Sequence, residues 1–280
     1  MKISIITPSF NQATFIERTI LSVINQSFAD FEFLIINDGS TDNSEEIILN
    51  YKAKDSRIIY IKNETNIGLQ ATLNKGLSVA KGDYIARIDS DDIWCDKNKL
   101  QKQFDFLEKN PDYALVGTAM ETIDENGKPL SKFHFLESDR EIRDRLLFSS
   151  QFAHPSVLIR TKALAEVGFY SQAEKHRNVE DYELWLRIGK KYKFANLPDT
   201  CLRYRIHSGG ISVKNEFKQR LAWIGLTREY AAYYPNNKKA LALKIISLAV
   251  PRNLLDFLIK KIPPLGILYL KFSGIKKTSH

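Results

Sequence analysis

Cysteine is scarce: the 280 residues hold two, Cys95 and Cys201, far apart and in no CxxC or Cys/His ligand spacing. That excludes a disulfide framework and a structural zinc, fits a reducing compartment, and leaves both thiols as unreactive packing residues. No uncharged apolar run approaches the ~20 residues a membrane-spanning helix needs. The N-terminal apolar stretch, residues 3–6, ends at Thr7-Pro8 and is too short for a secretory h-region. The chain is therefore expected in the cytoplasm, or peripherally on the inner membrane face. Glycine-rich phosphate loops are missing too: no GxGxxG follows the first strand and no GxxxxGK[ST] occurs, so dinucleotide-fingerprint and P-loop chemistry fall away. GxSxG is absent, and no Ser/His/Asp arrangement presents itself. Neither acidic turn is an EF-hand loop, because Ile93 stands at the fifth position after Asp89 and Asn43 stands where the loop from Asp38 needs glycine. Nor is there a basic body. Residues 238–280 hold nine Lys/Arg against Asp256, which accounts for the entire net charge of +8, and residues 1–237 balance. Nucleic acid is therefore not an expected partner.

What the chain does have is alternation. Residues 2–7, 31–37, 57–61 and 83–88 are apolar, β-branched runs of the kind buried on both faces of a parallel sheet. Between them, Ile16, Ile20, Val23 and Ile24, then residues 43–53 with Thr41 or Asp42 as N-cap, then Leu69, Leu73 and Leu77 recur at helical spacing. Lys81-Gly82 closes the third helix. Four strand–helix repeats in under a hundred residues predict an α/β fold, an open, mostly parallel twisted sheet flanked by helices. Beyond it the pattern predicts a helix over 97–109, a strand over 113–122, a hairpin turn at Asn126-Gly127, a helix over 138–148, a strand over 155–160, a mobile loop over 171–178, a helix from Val179, and strand segments 194–197 and 202–207. Residues 211–280 read as a helical, basic-amphipathic extension of a domain spanning 1–210.

The organising stretch is Arg87-Ile88-Asp89-Ser90-Asp91-Asp92, with three carboxylates in four residues, directly after the apolar run Tyr84-Ile85-Ala86. Such a density of negative charge is unfavourable without a cation, and hard divalent ions such as Mg²⁺ or Mn²⁺ prefer oxygen ligands. Taken alone, a solvated acidic turn with Asp92 capping the next helix is the better reading. The context changes that: Pro8-Ser9, Asp38-Gly39 and the acidic turn all fall at the carboxyl ends of strands, where open α/β sheets bind ligands.

Together, residues 4–11, residues 36–42, Asn66-Ile67-Gly68, the Asp-Ser-Asp-Asp turn, Glu180-Asp181 and Arg203-Tyr204-Arg205-x-His207 resemble, in order and spacing, the motif series of the family 2 inverting glycosyltransferases of GT-A fold. The match runs over roughly residues 1–210, with 1–100 as nucleotide-binding half and 101–210 as acceptor half. The resemblance implies transfer of a sugar from a UDP-sugar to a glycan or lipid-linked glycan. It further implies that Asp38 accepts a hydrogen bond from uracil while Pro8-Ser9 lies along the base, with Gly68 nearby. Asp89, Ser90 and Asp91, with Asp92, match the DxD-type motif, where one carboxylate holds ribose and another the Mg²⁺ or Mn²⁺ on the diphosphate. Asp181 matches the catalytic base. Asn37 departs from the family, many members having Asp there.

Several assignments stay open on the residues alone. Asp181 and Glu180 are also first-turn acids favoured by a helix dipole, and for Glu180 that is the reading adopted. His207 is either a third metal ligand or a phosphate contact, against a purely structural histidine. Arg203 and Arg205 share a strand face and either contact phosphate or pair with surface acids. His154 lines the acceptor side, and Trp185 belongs to the core. The basic-amphipathic tail, with apolar runs over 241–250 and 254–259 and a break at Pro263-Pro264, either lies on an anionic leaflet or packs on the domain. Two rival functions remain: a nucleotidyltransferase, for which residues 8–14 lack the Gly-rich basic loop, and a catalytically dead sugar-nucleotide binder, against which the intact Asp38, Asp91 and Asp181 count.

Overall fold

A computed structural model describes residues 1–209, 216–249 and 276–279. The first half alternates as expected: β1 (Ile3–Ser9), α1 (Ile16–Ile24), β2 (Phe31–Asn37), α2 (Ser44–Lys52), β3 (Ile58–Lys62), α3 (Leu69–Val79) and β4 (Tyr84–Arg87). There follow β5 (Ile93–Trp94), α4 (Lys99–Lys109), β6 (Tyr113–Ile123), β7 (Pro129–His134), α5 (Asp139–Arg145), β8 (Leu158–Arg160), α6 (Thr161–Val167), α7 (Glu180–Ile188) and β9 (Lys193–Arg205). Helices α8 (Glu216–Glu229) and α9 (Asn237–Ala249) and a last strand, β10 (Lys276–Ser279), complete the described elements.

Strand order is β10-β7-β6-β8-β4-β1-β2-β3, with β9 beside β6 and β5 beside β9. The nucleotide half, β3-β2-β1-β4, is wholly parallel; antiparallel pairs are confined to the second half. The period of two along β1 and β2 divides the core. Ile3, Ile5, Phe33 and Ile35 pack under α1 and α4, whereas Ile6, Leu34 and Ile36 pack under α3 and α7. Both faces are covered, so these strands are apolar except for Ser4, Thr7, Ser9, Glu32 and Asn37, all of them buried.

Three expectations need correction. Segments 194–197 and 202–207 form a single strand, β9, because its parallel pairing with β6 continues past Pro198-Asp199 through irregular register near Thr118–Met120. The strand expected over 155–160 starts only at Leu158, since residues 154–156 make a 3-10 turn with Pro155 in its first positions. Residues 171–178, read as a loop, carry a 3-10 turn at Glu174–His176. The N-cap position of α2 is Asn43, without a side-chain cap bond; Asp42 instead accepts from Ser44 N (3.0 Å) and Ala13 N (2.9 Å), stitching that turn to the loop after β1. Strands β5 and β10 were too short to read. Cys201 is buried as expected, but Cys95 is at the surface, with its thiol pKa pushed up by partial burial.

The extension is helical over α8 and α9 and ends in β10 on β7; residues 254–259 and Pro263-Pro264 lie outside the described residues. Among those described, no helix is long and apolar enough to cross a membrane. The two helices dock on α7. Tyr230 donates to Glu183 (2.7 Å), Tyr234 to the Leu186 carbonyl (2.8 Å), and Lys244 Nζ donates to Thr227 Oγ1 (2.9 Å) below the Tyr182 ring. Burial lowers the Lys244 pKa to about 7. An unfolded lysine titrates near ~10.4, so between these values the unfolded chain binds the extra proton and stability rises with pH. Lys244→Met should accordingly raise the melting temperature more at pH 6 than at pH 9.5. Equal effects at both would show that the ammonium is solvated.

Candidate active site

Strand tips β1, β2 and β4 place the nucleotide-side residues. Pro8 and Ser9 end β1 opposite Ile36 and Asn37, and Ser9 O accepts from Asp38 N (2.8 Å). The Asp38 carboxylate, almost fully buried, accepts three hydrogen bonds: from Asn63 Nδ2 (2.8 Å), Ile67 N (2.9 Å) and Gly68 N (3.0 Å). It thereby draws the loop before α3 against the end of β2. A carboxylate has about four acceptor sites, which leaves room for one further donor. Gly39, at φ +72°, is required here: a Cβ would stand 2.7 Å from the Thr65 carbonyl carbon. Asn37 has its own reason in this chain, since its amide donates to Tyr60 Oη (3.0 Å) while its oxygen accepts from Ser40 N (2.9 Å); an Asp could not do the first.

Beyond β4, oxygens of Asp89, Asp91 and Asp92 all lie within 4.8 Å of one another, with Ser90 buried in the same turn. Asp92 is held by the backbone N–H of Arg205 (2.8 Å), and its other oxygen is buried without a partner. His207 Nε2 lies 2.9 Å from Asp91 Oδ2, so the imidazole stands against the cluster, placed either to orient that carboxylate or to join it as a third ligand. Burial first, then the neighbouring acids, push the Asp91 and Asp92 pKa values up; Arg205 N–H and Arg87 work the other way on Asp92. Three hard oxygen donors, an orphaned buried carboxylate oxygen and mutual repulsion fit a Mg²⁺ or Mn²⁺ ion held by these side chains.

The two arginines thought able to meet phosphate have partners within the chain. Arg203 pairs with Glu121 (3.1 Å). Arg205 Nε donates to the Asp91 carbonyl (2.8 Å) and Nη1 to those of Asp124 (3.1 Å) and Glu125 (2.9 Å), with its guanidinium over Phe15. Arg205 therefore braces the acidic turn in this structure, whereas Arg203 pairs with an acid of β6.

Asp181, in the first turn of α7, is partly exposed. Burial, more than anything else, raises its pKa, opposed by the Tyr182 N–H and by Arg87. Glu180 is a first-turn acid of α7, and it is also buried, with burial together with Asp181 pushing its pKa up. His154 is buried, its Nε2 2.7 Å from Tyr170 Oη and its ring edge-on to Trp185, a core residue as foreseen.

The residue that reading the sequence missed is Arg87. It is 3% exposed, forms a two-pronged pair with Asp89 (Nη1 to Oδ2 2.7 Å), and its charge reaches Asp92, Tyr170, Glu180 and Asp181. It is thus a buried cation between the acidic turn and the acids of α7. The signal was available: an arginine inside an otherwise apolar strand, two residues before Asp89 and hence on the same face. Tyr170 was missed as well. Its backbone N–H and C=O are both bonded to the Asn74 side chain of α3 (3.0 and 2.8 Å), and Gln70 donates to the Ser171 carbonyl (2.5 Å). These bonds tie the loop leading to Asp181 to the nucleotide half.

Comparison with known proteins agrees with this layout. The family model "Glycosyl transferase family 2" matches residues 4–168. An uncharacterized glycosyltransferase of Methanocaldococcus jannaschii, MJ1057, is 35% identical over 223 residues, covering 78% of this chain and 76% of that protein. The Escherichia coli UDP-Glc:alpha-D-GlcNAc-diphosphoundecaprenol beta-1,3-glucosyltransferase WfaP is 31% identical over 226 residues, covering 78% and 82%. Among solved structures, S. aureus TarS 1–349 in complex with UDP-GlcNAc superposes with a TM-score of 0.69 at 20% identity, covering 96% of this chain and 80% of that one. That likeness establishes the GT-A type of fold. With an α/β sheet whose strand tips gather the acids and a family model spanning more than half its length, the chain belongs to glycosyl transferase family 2 and is a glycosyltransferase.

Proposed function

We propose that this glycosyltransferase is metal-dependent and inverting, moving a sugar from a UDP-sugar to a glycan or lipid-linked glycan with Asp181 as general base. The observation that carries the reading is the pairing of two acid sets around Arg87: the Asp89/Asp91/Asp92 oxygens within 4.8 Å, and the partly exposed Asp181 on α7. WfaP, by its name, uses UDP-Glc and a diphosphoundecaprenol-linked acceptor, and TarS binds UDP-GlcNAc; both support a UDP-sugar donor here.

Each residue then has a physical task. Asp38, Pro8, Ser9 and Gly68 form the wall for the base, with Asp38's remaining acceptor site open to a ring N–H. Asp89 takes ribose, while Asp91 and Asp92 hold the divalent ion, His207 and Arg205 fixing their orientation. A bound Mg²⁺ or Mn²⁺ supplies compensation for charge developing on the departing diphosphate. The acceptor hydroxyl gives its proton to an Asp181 oxygen as its own oxygen attacks C1, and the C1–O bond to UDP breaks. Burial makes Asp181 a stronger base than a solvated carboxylate, which favours proton transfer near neutral pH. Peripheral contact with an anionic leaflet belongs to the same proposal; exposed Ile245 and Ile246 on α9 and the exposed Lys238 and Lys239 of that helix are its support.

A donor panel assayed for UDP release with and without Mn²⁺ tests the reading. Asp91→Asn should weaken Mn²⁺ binding at least about tenfold, measured directly by electron paramagnetic resonance, and abolish metal-stimulated UDP release. Metal-independent turnover would remove the divalent ion from the reaction, and pyrophosphate as product would replace the reading with the nucleotidyltransferase alternative.

A further inference from the structure

Resting on the glycosyltransferase reading, the inference concerns where the acceptor sits. A cavity of about 580 Å³ opens between the 174–178 segment and α8, within the range of small-molecule sites. Its floor is apolar, from Leu221, Ala222 and Leu226 of α8. Its rim is ionic. Glu229 is bonded to Lys175 (2.7 Å) and to His176 (3.4 Å), Glu174 is set against Arg177 (3.5 Å), and Lys218 has no ion pair among the described residues. Basic side chains therefore outnumber acids at the mouth.

Two features aim this cavity at the chemistry. Asn178, which lines it at φ +64° with its carbonyl held by Gln219 (3.0 Å), precedes Asp181 by three residues. No more than about 11 Å can separate their Cα atoms, roughly the length of one or two sugar rings. The second feature is Gly225, in the interior of α8 on the cavity floor, where a Cβ would meet nothing within 4 Å. Glycine inside a helix costs about 1 kcal/mol relative to alanine. No packing contact requires it there; what it preserves is space.

We propose that this cavity is the acceptor subsite, and that its ligand is a glycosyl phosphate: sugar C–H faces against the Leu221–Leu226 side of α8, the phosphate toward Lys218, Lys175 and Arg177, and the acceptor hydroxyl directed to Asp181.

The test uses N-acetylglucosamine 1-phosphate as probe, titrated calorimetrically into the full chain with UDP and Mn²⁺ saturating so that the nucleotide crevice is filled. Gly225→Leu should fill the floor and weaken probe binding more than tenfold; Gly225→Ala, a smaller change at the same helical position, should leave it within about twofold. Lys218→Glu should weaken it severalfold, and unphosphorylated N-acetylglucosamine should bind at least tenfold more weakly than the phosphate. UDP affinity, measured separately, should be the same in all four proteins. Equal probe affinity in Gly225→Leu and wild type, no probe binding to wild type, or no preference for the phosphate would overturn the subsite while leaving the UDP-sugar reading intact. Loss of UDP binding by wild type would sink that reading instead.

Discussion

Asp181→Asn should lower sugar transfer by about 10²–10⁴-fold, the range that a positioned general base contributes, while UDP affinity stays at the wild-type level. The substitution keeps shape and hydrogen-bonding size but removes the lone-pair charge that receives the proton. The pH dependence gives a second handle. The groups around Asp181 are Glu180 and Tyr182 on its own helix, Arg87 at the end of β4 with Asp89 just beyond it, and Tyr170 from the preceding loop. Burial prevails over Arg87 and raises the Asp181 pKa. A base must be ionised to act, so kcat/KM for the acceptor should fall as pH drops through a value above the usual carboxylate ~3.9, and that acid limb should vanish from the residual rate of the variant. Undiminished turnover in Asp181→Asn, with initial rates followed by UDP release, would remove it from the mechanism.

Arg87→Met should cost about 3–5 kcal/mol of unfolding free energy, as measured by urea denaturation, because truncating one member of a buried ion pair leaves its partner uncompensated. The loss exceeds that of an exposed salt bridge, worth ~0–1 kcal/mol, since Arg87 is 3% exposed and faces acids from two directions. Adding Asp89→Asn should restore part of the stability, whereas Asp89→Asn by itself leaves the cation unpaired. In the same Arg87→Met protein, apparent Mn²⁺ affinity should rise, because the fixed cation beside Asp89 no longer repels an ion held by Asp91 and Asp92. A variant as stable as wild type would mean that the Arg87–Asp89 pair is as solvated as a surface one.

How much of this was legible in the sequence depends on the range of the interactions concerned. The parallel half and its strand tips follow from local periodicity, and the bounds of β1, β2 and β6 match it within two residues. The identity of the acids was equally accessible, because a carboxylate cluster after an apolar strand is a local signal. What escaped depends on partners far away in the chain. Arg205 looked like a phosphate contact on alternation alone, but its bonds go to carbonyls 80 to 114 residues away. Glu180 was readable as a first-turn acid, but its burial was not. Strand β9 read as two pieces because Pro198 and Asp199 are weak strand formers, and only pairing with β6 overrides that local preference.

The continuity of β9 constrains how this protein can change its length. Helix α7 feeds directly into the strand, and the strand delivers the Arg205 N–H to Asp92 and His207 to Asp91. One residue added between Leu202 and Arg205 would turn every later side chain to the opposite face, parting both braces from their carboxylates while Asp181 stayed where it is. In the hairpin at residues 124–128 the Asp124 and Glu125 carbonyls hold Arg205, whereas Asn126 and Gly127 bond only within the turn. Insertions are thus admissible at that tip and barred a few ångströms away, and a survey of tolerated indels would trace the outline of the catalytic crevice without any substrate in hand.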